Sequence, residues 1–204
     1  MRARFFAMLL VPVLLLTGTE ATAQVATPEV PDPALCQVTP RSEATLLPLL
    51  SGTPVAAPAA TDLPASVTAE DQLPSGTPAD AATAAAITAT ARELIACNNA
   101  GDFGRVFAFY TDEFIRRAFG GDPTAKEQVP ALLATPAAPL PPEARTTLLA
   151  VRDVRVLADG RVGAIMEDVD PRQKVTVFLI FAQVGDRWLV DGQIDIATEG
   201  TPVP

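Results

Sequence analysis

The chain has 204 residues, of which 49% are hydrophobic and 19% charged, and it carries a formal net charge of −9. This acidic balance argues against nucleic acid and anionic membrane surfaces as partners, because both attract clusters of lysine and arginine. The chain contains no histidine. That excludes Ser-His-Asp and Cys-His nucleophile systems, histidine general bases and nearly every catalytic zinc arrangement.

Residues 1–23 have the pattern of a secretory signal peptide. A start containing two arginines precedes the apolar run FFAMLLVPVLLL, and an A-x-A motif ends at Ala23. The apolar run is too short to cross a membrane as a mature helix. The sequence therefore predicts cleavage near Ala23 and a secreted, extracellular protein with no membrane span in the mature chain. An uncleaved N-terminal anchor is the alternative.

Residues 24–80 have the composition of a linker. They contain half of the chain's 20 prolines and no aromatic residue. Proline at this density stops helices and sheet ladders from propagating, so we expect a flexible, mostly extended linker or stalk. One stretch differs, because Ser42 is followed by four leucines between residues 46 and 50. This spacing predicts a short amphipathic helix at 42–50.

The two cysteines, Cys36 and Cys97, predict one disulfide, because an even count in an exported chain favours pairing. Two unpaired thiols, with Cys97 buried in a helix, are the alternative. Two cysteines without histidine cannot form an ordinary structural zinc site. A Cys36–Cys97 bond would hold the leucine-rich stretch against the rest of the protein as an N-terminal brace.

The globular part begins with an alanine-rich helix at 81–99, which has apolar residues at helical spacing. The sequence Asn-Ala-Gly-Asp ends it, because Gly101 suits a left-handed C-terminal turn and Asp102 can cap the next helix. That second helix is expected at 102–119, with its aromatic residues on one apolar stripe. A third helix is expected at 122–133, started by Asp-Pro.

Four strands follow, at 146–157, 161–168, 174–184 and 187–196. The first and second are joined through Ala-Asp-Gly, the second and third through Asp-Pro-Arg, and the third and fourth through Gly-Asp. Short turns between successive strands predict an antiparallel meander. Helices first and strands later predict an α+β fold and not a doubly wound sheet.

The helix, break and aromatic-rich helix LIACNNAGDFGRVFAFYTDEFIRRAF, followed by a sheet that closes on the strand RWLVDG, resemble the nuclear-transport-factor-2-like superfamily. This superfamily includes the SnoaL-like proteins and has a cystatin-like fold. The resemblance covers about residues 82–195 and implies a domain at 81–198, followed by a tail at 199–204. It implies three N-terminal helices packed on a curved antiparallel sheet of about four strands. Such a cone has an internal pocket, but the fold hosts many activities and implies no particular one.

The third predicted strand, VTVFLIFAQV, is apolar on both of its alternating faces. A strand of this kind is covered on both sides of the sheet, and the helices can cover only one side. Either a second copy of the chain or the N-terminal brace must cover the other. Members of the family often dimerise through this sheet, so the resemblance favours a homodimer.

The catalytic patterns of the family do not match this chain. When the Asn-Ala-Gly-Asp breaks are overlaid, the tyrosine donor and carboxylate base of ketosteroid-isomerase-like sites fall on Leu94 and near Arg117, which cannot do that work. A limonene-epoxide-hydrolase-like site would need an Asp-Arg-Asp trio, but no spacing singles one out. The strand residues available for such a trio are Arg152, Asp153, Asp168, Asp191 and Asp195.

Five residues are candidates for lining a ligand pocket: Phe107, Tyr110, Phe114, Trp188 and Asp191. A structural alternative exists for each position that carries a polar group. The Tyr110 ring can lie in the core, Trp188 suits a core or interface position, and a polar strand face explains Asp191 equally well.

We predict no catalytic residue, no cofactor and no metal. The favoured function is non-catalytic binding of a small apolar ligand, or an assembly role through the cone pocket and sheet. One alternative is a cofactor-independent lyase, isomerase or hydrolase that uses Asp, Arg and Tyr. Another is a cell-surface protein interaction module.

Overall fold

The computed structural model describes residues 28–51 and 63–197. The predicted signal peptide at 1–23 and the predicted tail at 199–204 lie outside the described residues. Within the described ranges the chain folds into five α-helices and a curled, mixed six-stranded sheet, which confirms the predicted α+β class. None of the described helices is both long and apolar enough to cross a membrane.

The helices lie N-terminal to the four long strands, as the sequence predicts. They are α1 (Glu43–Ser51), α2 (Ala81–Asn99), α3 (Phe103–Phe107), α4 (Asp112–Phe119) and α5 (Pro123–Ala134). Aspartate side chains cap three of them, since Asp80, Asp102 and Asp122 each accept a backbone N–H from the first turn. The two caps expected at Asp102 and Asp122 are therefore present.

The predicted second helix is interrupted and forms two helices, α3 and α4. The residues between them bond to the sheet instead of continuing the helix. The Thr111 amide donates to the Val190 carbonyl at 2.9 Å, and the Val190 amide donates to the Phe109 carbonyl at 2.7 Å. The Thr111 side chain then caps α4. Apolar periodicity could not reveal this break, because the apolar stripe continues while the backbone hydrogen bonds are redirected.

Four long strands form the body of the sheet, each within one residue of its predicted bounds. They are β3 (Thr147–Leu157), β4 (Val162–Val169), β5 (Lys174–Val184) and β6 (Arg187–Ile196). Each pairs antiparallel with the next one along the chain. Two short strands flank them: β1 (Ser66–Val67) runs parallel to β6, and β2 (Gly76–Pro78) runs antiparallel to β3. The strand order is β1-β6-β5-β4-β3-β2.

The inner face of the sheet packs against α2 and forms the main core. Ile87 and Cys97 on α2 are completely buried there. Alternate residues of the central strands meet them from the sheet side. The inner-face members of this cluster on β4 and β5 are Val162, Ala164, Met166, Val177, Leu179 and Phe181.

The outer face of the sheet is covered by residues 63–80, which we call the strap. Leu63, Val67 and Leu73 of the strap pack onto apolar residues that point away from the helices. The outer-face residues with no exposed surface are Ile165, Phe178, Ile180 and Ile194. The second apolar face of β5 is therefore buried by residues of the same chain.

Polar contacts with β3 also hold the strap on the sheet. Arg152 donates two hydrogen bonds to the Glu70 carboxylate, at 2.6 and 3.0 Å. Arg155 donates to the Pro74 carbonyl at 3.0 Å, and its guanidinium lies 5.1 Å from the centre of the Phe178 ring. This part of the predicted linker is therefore packed on the sheet. Composition could not show this, because its few apolar residues gain burial only from a sheet that forms later in the chain.

The homodimer is predicted because β5 has a second apolar face that another element must cover, and this reason no longer requires a second copy of the chain. The sequence left open whether a second copy or the N-terminal segment covers the second apolar face. The N-terminal segment does so, although through the strap and not through the leucine-rich stretch at 42–50. The homodimer stays a prediction that no contact of the described residues supports.

Both edges of the sheet are blunted by short backbone contacts. On the β3 edge, Glu29 exchanges two hydrogen bonds with Leu148 at 2.8 and 2.9 Å, and β2 pairs with the opposite end of the strand. On the β6 edge, Tyr110 forms a parallel bridge with Val190, and β1 pairs with the end of the strand. Partly covered edges of this kind leave few unpaired backbone N–H and C=O groups for a strand of another chain to bond.

The segment 28–51 crosses the helices and is tied down by the predicted disulfide. Cys36 and Cys97 are bonded, with their Cα atoms 4.6 Å apart. The Glu93 carboxylate accepts the amides of Gln37 and Val38 at 3.1 and 3.0 Å. The helix expected at 42–50 is present as α1. Its buried leucines Leu46, Leu49 and Leu50 form a separate cluster with Phe107, Ile115 and Val129.

Candidate functional site

Three of the five candidate pocket residues pack against one another beside α1. The ring centres of Phe107 and Tyr110 lie 6.4 Å apart in an edge-to-face arrangement, and those of Tyr110 and Phe114 lie 5.2 Å apart and nearly parallel. Phe107 is only 8% exposed, because the leucines of α1 cover it. The chain's own helix therefore occupies the space that a ligand would take on that side of Phe107.

Tyr110 connects two cores. Its side chain packs against both the main core and the α1 cluster, and its backbone carbonyl accepts a hydrogen bond from Arg41 at 2.6 Å. Burial raises the pKa of the Tyr110 phenol, so the hydroxyl is protonated at neutral pH and could serve as a donor but not as a base. These contacts are those of a structural tyrosine whose ring joins two layers.

Asp191 is held by a hydroxyl group and a guanidinium. Its carboxylate accepts hydrogen bonds from Thr111 Oγ1 at 2.6 Å and from Arg161 at 2.8 Å. Arg117 donates to the Asp191 backbone carbonyl and also lies 5.9 Å from the Phe114 ring centre. Arg117 thereby links Asp191 to the aromatic group. Both oxygens of the carboxylate are engaged in holding β6 to its neighbours.

The structure does assemble an Asp-Arg-Asp trio, formed by Asp159, Arg161 and Asp191. Arg161 bonds both carboxylates, at 2.7 Å to Asp159 and 2.8 Å to Asp191. The Arg161 side chain lowers the pKa of the Asp159 carboxyl, so that carboxyl is ionised at neutral pH. Asp159 lies in the exposed β3–β4 turn, where a trapped water and substrate could not be shielded. Its position in a turn is why no strand spacing could have identified the trio.

The other strand carboxylates named from the sequence are dispersed. Asp153 pairs with Arg155 and has a positive φ of 52°. Asp195 accepts a hydrogen bond from Gln193 at 2.8 Å. Burial raises the pKa of the Asp168 carboxyl to about 6, and the neighbouring carboxylate of Asp170 adds to the effect. In the ranges 28–51 and 63–197, no group of three or more His, Cys, Asp or Glu side chains could hold a metal ion.

Trp188, the fifth candidate, lies in a different place and lines a surface cleft of about 250 Å³. We call this the Trp188 cleft. One wall is the exposed face of α2, from Ala86 to Glu93, and the other is the β5–β6 turn. Phe109 is one of the lining residues, and the Arg187 guanidinium lies 5.6 Å from its ring centre. The cleft therefore combines aromatic, small apolar and charged groups.

A second cleft, of about 510 Å³, opens where α2 ends, and we call it the arginine cleft. Three separated segments form it: the 3₁₀ turn Pro33–Leu35, the break between α2 and α3, and the proline-rich loop before β3. Arg105 and Arg145 both line it. No sequence pattern identifies either arginine, because only the fold brings residues of these segments together.

No family model matches the chain, and no curated protein or solved structure is similar enough to establish a relationship. The site is therefore defined by geometry alone. The structure brings Phe107, Tyr110 and Phe114 together, links them to Asp191 through Arg117, and leaves Trp188 in a separate cleft.

Proposed function

We propose that this chain is an exported, non-catalytic binding domain of the nuclear-transport-factor-2-like class, and that the Trp188 cleft takes a small apolar ligand. The α+β order, the helix break at 99–102 and the closing strand support the class. The disulfide between Cys36 and Cys97 agrees with an oxidising compartment. The N-terminal apolar run supports export.

The observation that carries the proposal is an accessible cleft beside Trp188, while Asp191 and Arg152 are held by other side chains. The Asp191 carboxylate accepts hydrogen bonds from Thr111 and Arg161, and Arg152 is shared between Glu70 and Glu167. A general acid or base needs a free, positioned proton-transfer group. The Trp188 cleft instead presents the partly exposed Trp188 side chain and small α2 side chains beside charged groups, which leaves room for contact with a single apolar ring.

The chain supplies its own reporter for this cleft, because Trp188 is its only tryptophan. The neutral probe N-phenyl-1-naphthylamine accepts energy from tryptophan and brightens in apolar surroundings. We expect it to quench Trp188 emission in a saturable manner. Replacing Ala89, which lines the cleft, by leucine should fill the space and weaken probe binding at least about fivefold.

Ala118→Leu is the matched control, because Ala118 is an exposed helical alanine on α4. It adds the same side chain away from the Trp188 cleft and should leave probe affinity unchanged. Equal affinities for Ala89→Leu, Ala118→Leu and the unmodified protein would rule out the cleft as the binding site. Absence of saturable quenching would reject the proposed ligand class.

A further inference from the structure

The arginine cleft is held open by a rigid frame. Asn99 is completely buried and ties two of its walls together, because its side chain bonds both backbone groups of Thr146 at 2.8 and 3.0 Å. The Asn99 backbone carbonyl accepts the Leu140 amide at 2.8 Å, which fixes the proline-rich loop. The same side chain also donates to the Pro31 carbonyl at 3.1 Å. The disulfide between Cys36 and Cys97 holds the third wall, so backbone and covalent contacts fix all three walls.

At the break between α2 and α3, the backbone lies closer to the proline-rich loop than a residue with a Cβ would allow. Gly101 has a φ of 64°, and a Cβ added there would lie 2.5 Å from the Ala138 carbonyl oxygen. Only glycine accommodates both the left-handed backbone and this close approach. The packing of the proline-rich loop on the helix break is therefore specified by a particular residue.

Of the two guanidinium groups that line the cleft, that of Arg145 has donors without a partner among the described residues. Arg145 donates through Nε to the Leu140 carbonyl at 2.9 Å, and that bond leaves its two terminal nitrogens for other partners. The Arg105 guanidinium is partly committed, because it donates to the Cys36 carbonyl at 3.3 Å and pairs with the Asp102 carboxylate at 3.4 Å. Its Nε is buried and has no hydrogen-bond partner among the described residues. An atom with almost no accessible surface cannot be reached by a ligand in the cleft, so Arg145 offers the reachable donors.

The two acidic residues that line the cleft already have partners within the chain. Asp32 accepts the Ala34 amide at 2.8 Å, and Asp102 accepts the Arg105 amide at 3.0 Å. Their charges balance those of Arg105 and Arg145, so the lining carries no formal excess of either sign. The other lining residues are apolar: Pro33, Ala34, Ala100, Ala137 and Pro139.

We propose that the arginine cleft binds a small organic monocarboxylate, with its carboxylate on Arg145 and its apolar body against the alanines and prolines. A guanidinium fork matches a carboxylate through two parallel hydrogen bonds. A singly charged ligand fits a lining of balanced charge, whereas a phosphate dianion would meet two aspartates and a chain of net charge −9. The volume of about 510 Å³ lies within the usual range for small-molecule sites.

This inference does not rest on the proposed function, because the two clefts share no lining residue. The probes and variants also differ. Failure of the naphthylamine probe to bind at the Trp188 cleft would not contradict the proposal for the arginine cleft. Failure of benzoate to bind at the arginine cleft would likewise not contradict the proposal for the Trp188 cleft.

The test is titration of the purified, disulfide-bonded protein with benzoate, followed by two-dimensional NMR and calorimetry. We expect saturable binding, with shifted amide signals from residues of the helix break and the proline-rich loop. Benzamide has nearly the same shape without the charge and should bind at least about tenfold more weakly. Inorganic phosphate should compete poorly at neutral pH.

Variants locate the binding group. Arg145→Gln should weaken benzoate at least about tenfold, and Arg145→Lys should lose part of that affinity because it keeps the charge but not the fork. Arg172→Gln is the matched control, since Arg172 lies in the exposed β4–β5 turn. Thermal unfolding of each variant shows whether it is folded.

Three results would overturn the proposal. One is the absence of saturable benzoate binding to the unmodified protein. Another is equal affinity for benzoate and benzamide, which needs no variant and is therefore independent of any folding defect. The third is equal weakening by Arg145→Gln and Arg172→Gln, which would mean that the carboxylate binds only as an adventitious ion.

Discussion

Removing one strap side chain should destabilise the protein as much as a core substitution does, although composition places that residue in a linker. Leu73 is 6% exposed and packs in the outer-face cluster with Phe178 and Ile165. Leucine-to-alanine changes at buried sites cost about 2–5 kcal/mol. The strap is held at both ends and can partly collapse onto a smaller side chain, so we expect Leu73→Ala to lower the free energy of unfolding by about 2–3 kcal/mol.

The matched control is Leu35→Ala, because Leu35 is 47% exposed and also lies in the N-terminal segment. It should cost less than about 1 kcal/mol. Urea unfolding followed by Trp188 fluorescence, with the disulfide intact, measures both variants on the same scale. Trp188 lies outside the cluster that contains Leu73, so the fluorescence reports global unfolding and not a local change.

The reasoning would be refuted if the two leucine variants lost equal and small amounts of stability. That result would mean that the strap is not docked on the sheet in solution. The outer face of β5 would then be exposed, and the homodimer argument from the sequence would regain its basis. Sedimentation of the unmodified protein over a range of concentrations would show that outcome directly.

Three further substitutions test other parts of the structure. Replacing Cys36 and Cys97 together by alanine opens a loop with a sequence separation of 61 and should lower the free energy of unfolding by up to about 4 kcal/mol. Chemical denaturation measures this change, and a loss under about 1 kcal/mol would contradict the loop-closure argument. Gly163→Ala places a Cβ 2.1 Å from the Phe178 ring, so thermal unfolding should show a loss of about 1–3 kcal/mol, and an unchanged midpoint would mean that the ring is not packed there. The Asp168 pKa of about 6 lies above that of an unfolded aspartate, so this carboxyl favours folding while protonated, and its contribution is lost as pH rises from about 4 to about 6. Because the side chain is partly exposed, Asp168→Asn should stabilise the protein at pH 7 by only about 1 kcal/mol and flatten stability between those pH values; an unchanged pH profile would refute the assignment.

The long elements could be predicted from the sequence because their signals are local. Alternating apolar residues with Gly-Asp and Ala-Asp-Gly turns defined the four long strands, and alanine content with an aspartate cap and a glycine stop defined α2. The disulfide followed from a count of two cysteines. In each case the physical cause lies within a few residues or in a simple pairing rule.

Other features depend on contacts between distant parts of the chain, and only the tertiary structure decided them. The break before α4 exists because Thr111 and Phe109 bond to Val190, which lies on the last strand. The strap is ordered because a sheet formed later in the chain buries its few apolar residues. Helix and strand patterns suggest five candidate pocket residues but cannot show that Tyr110 packs beside α1 while Trp188 lines a separate cleft. The two arginines of the second cleft carry no local signal, because their common cleft is created by folding.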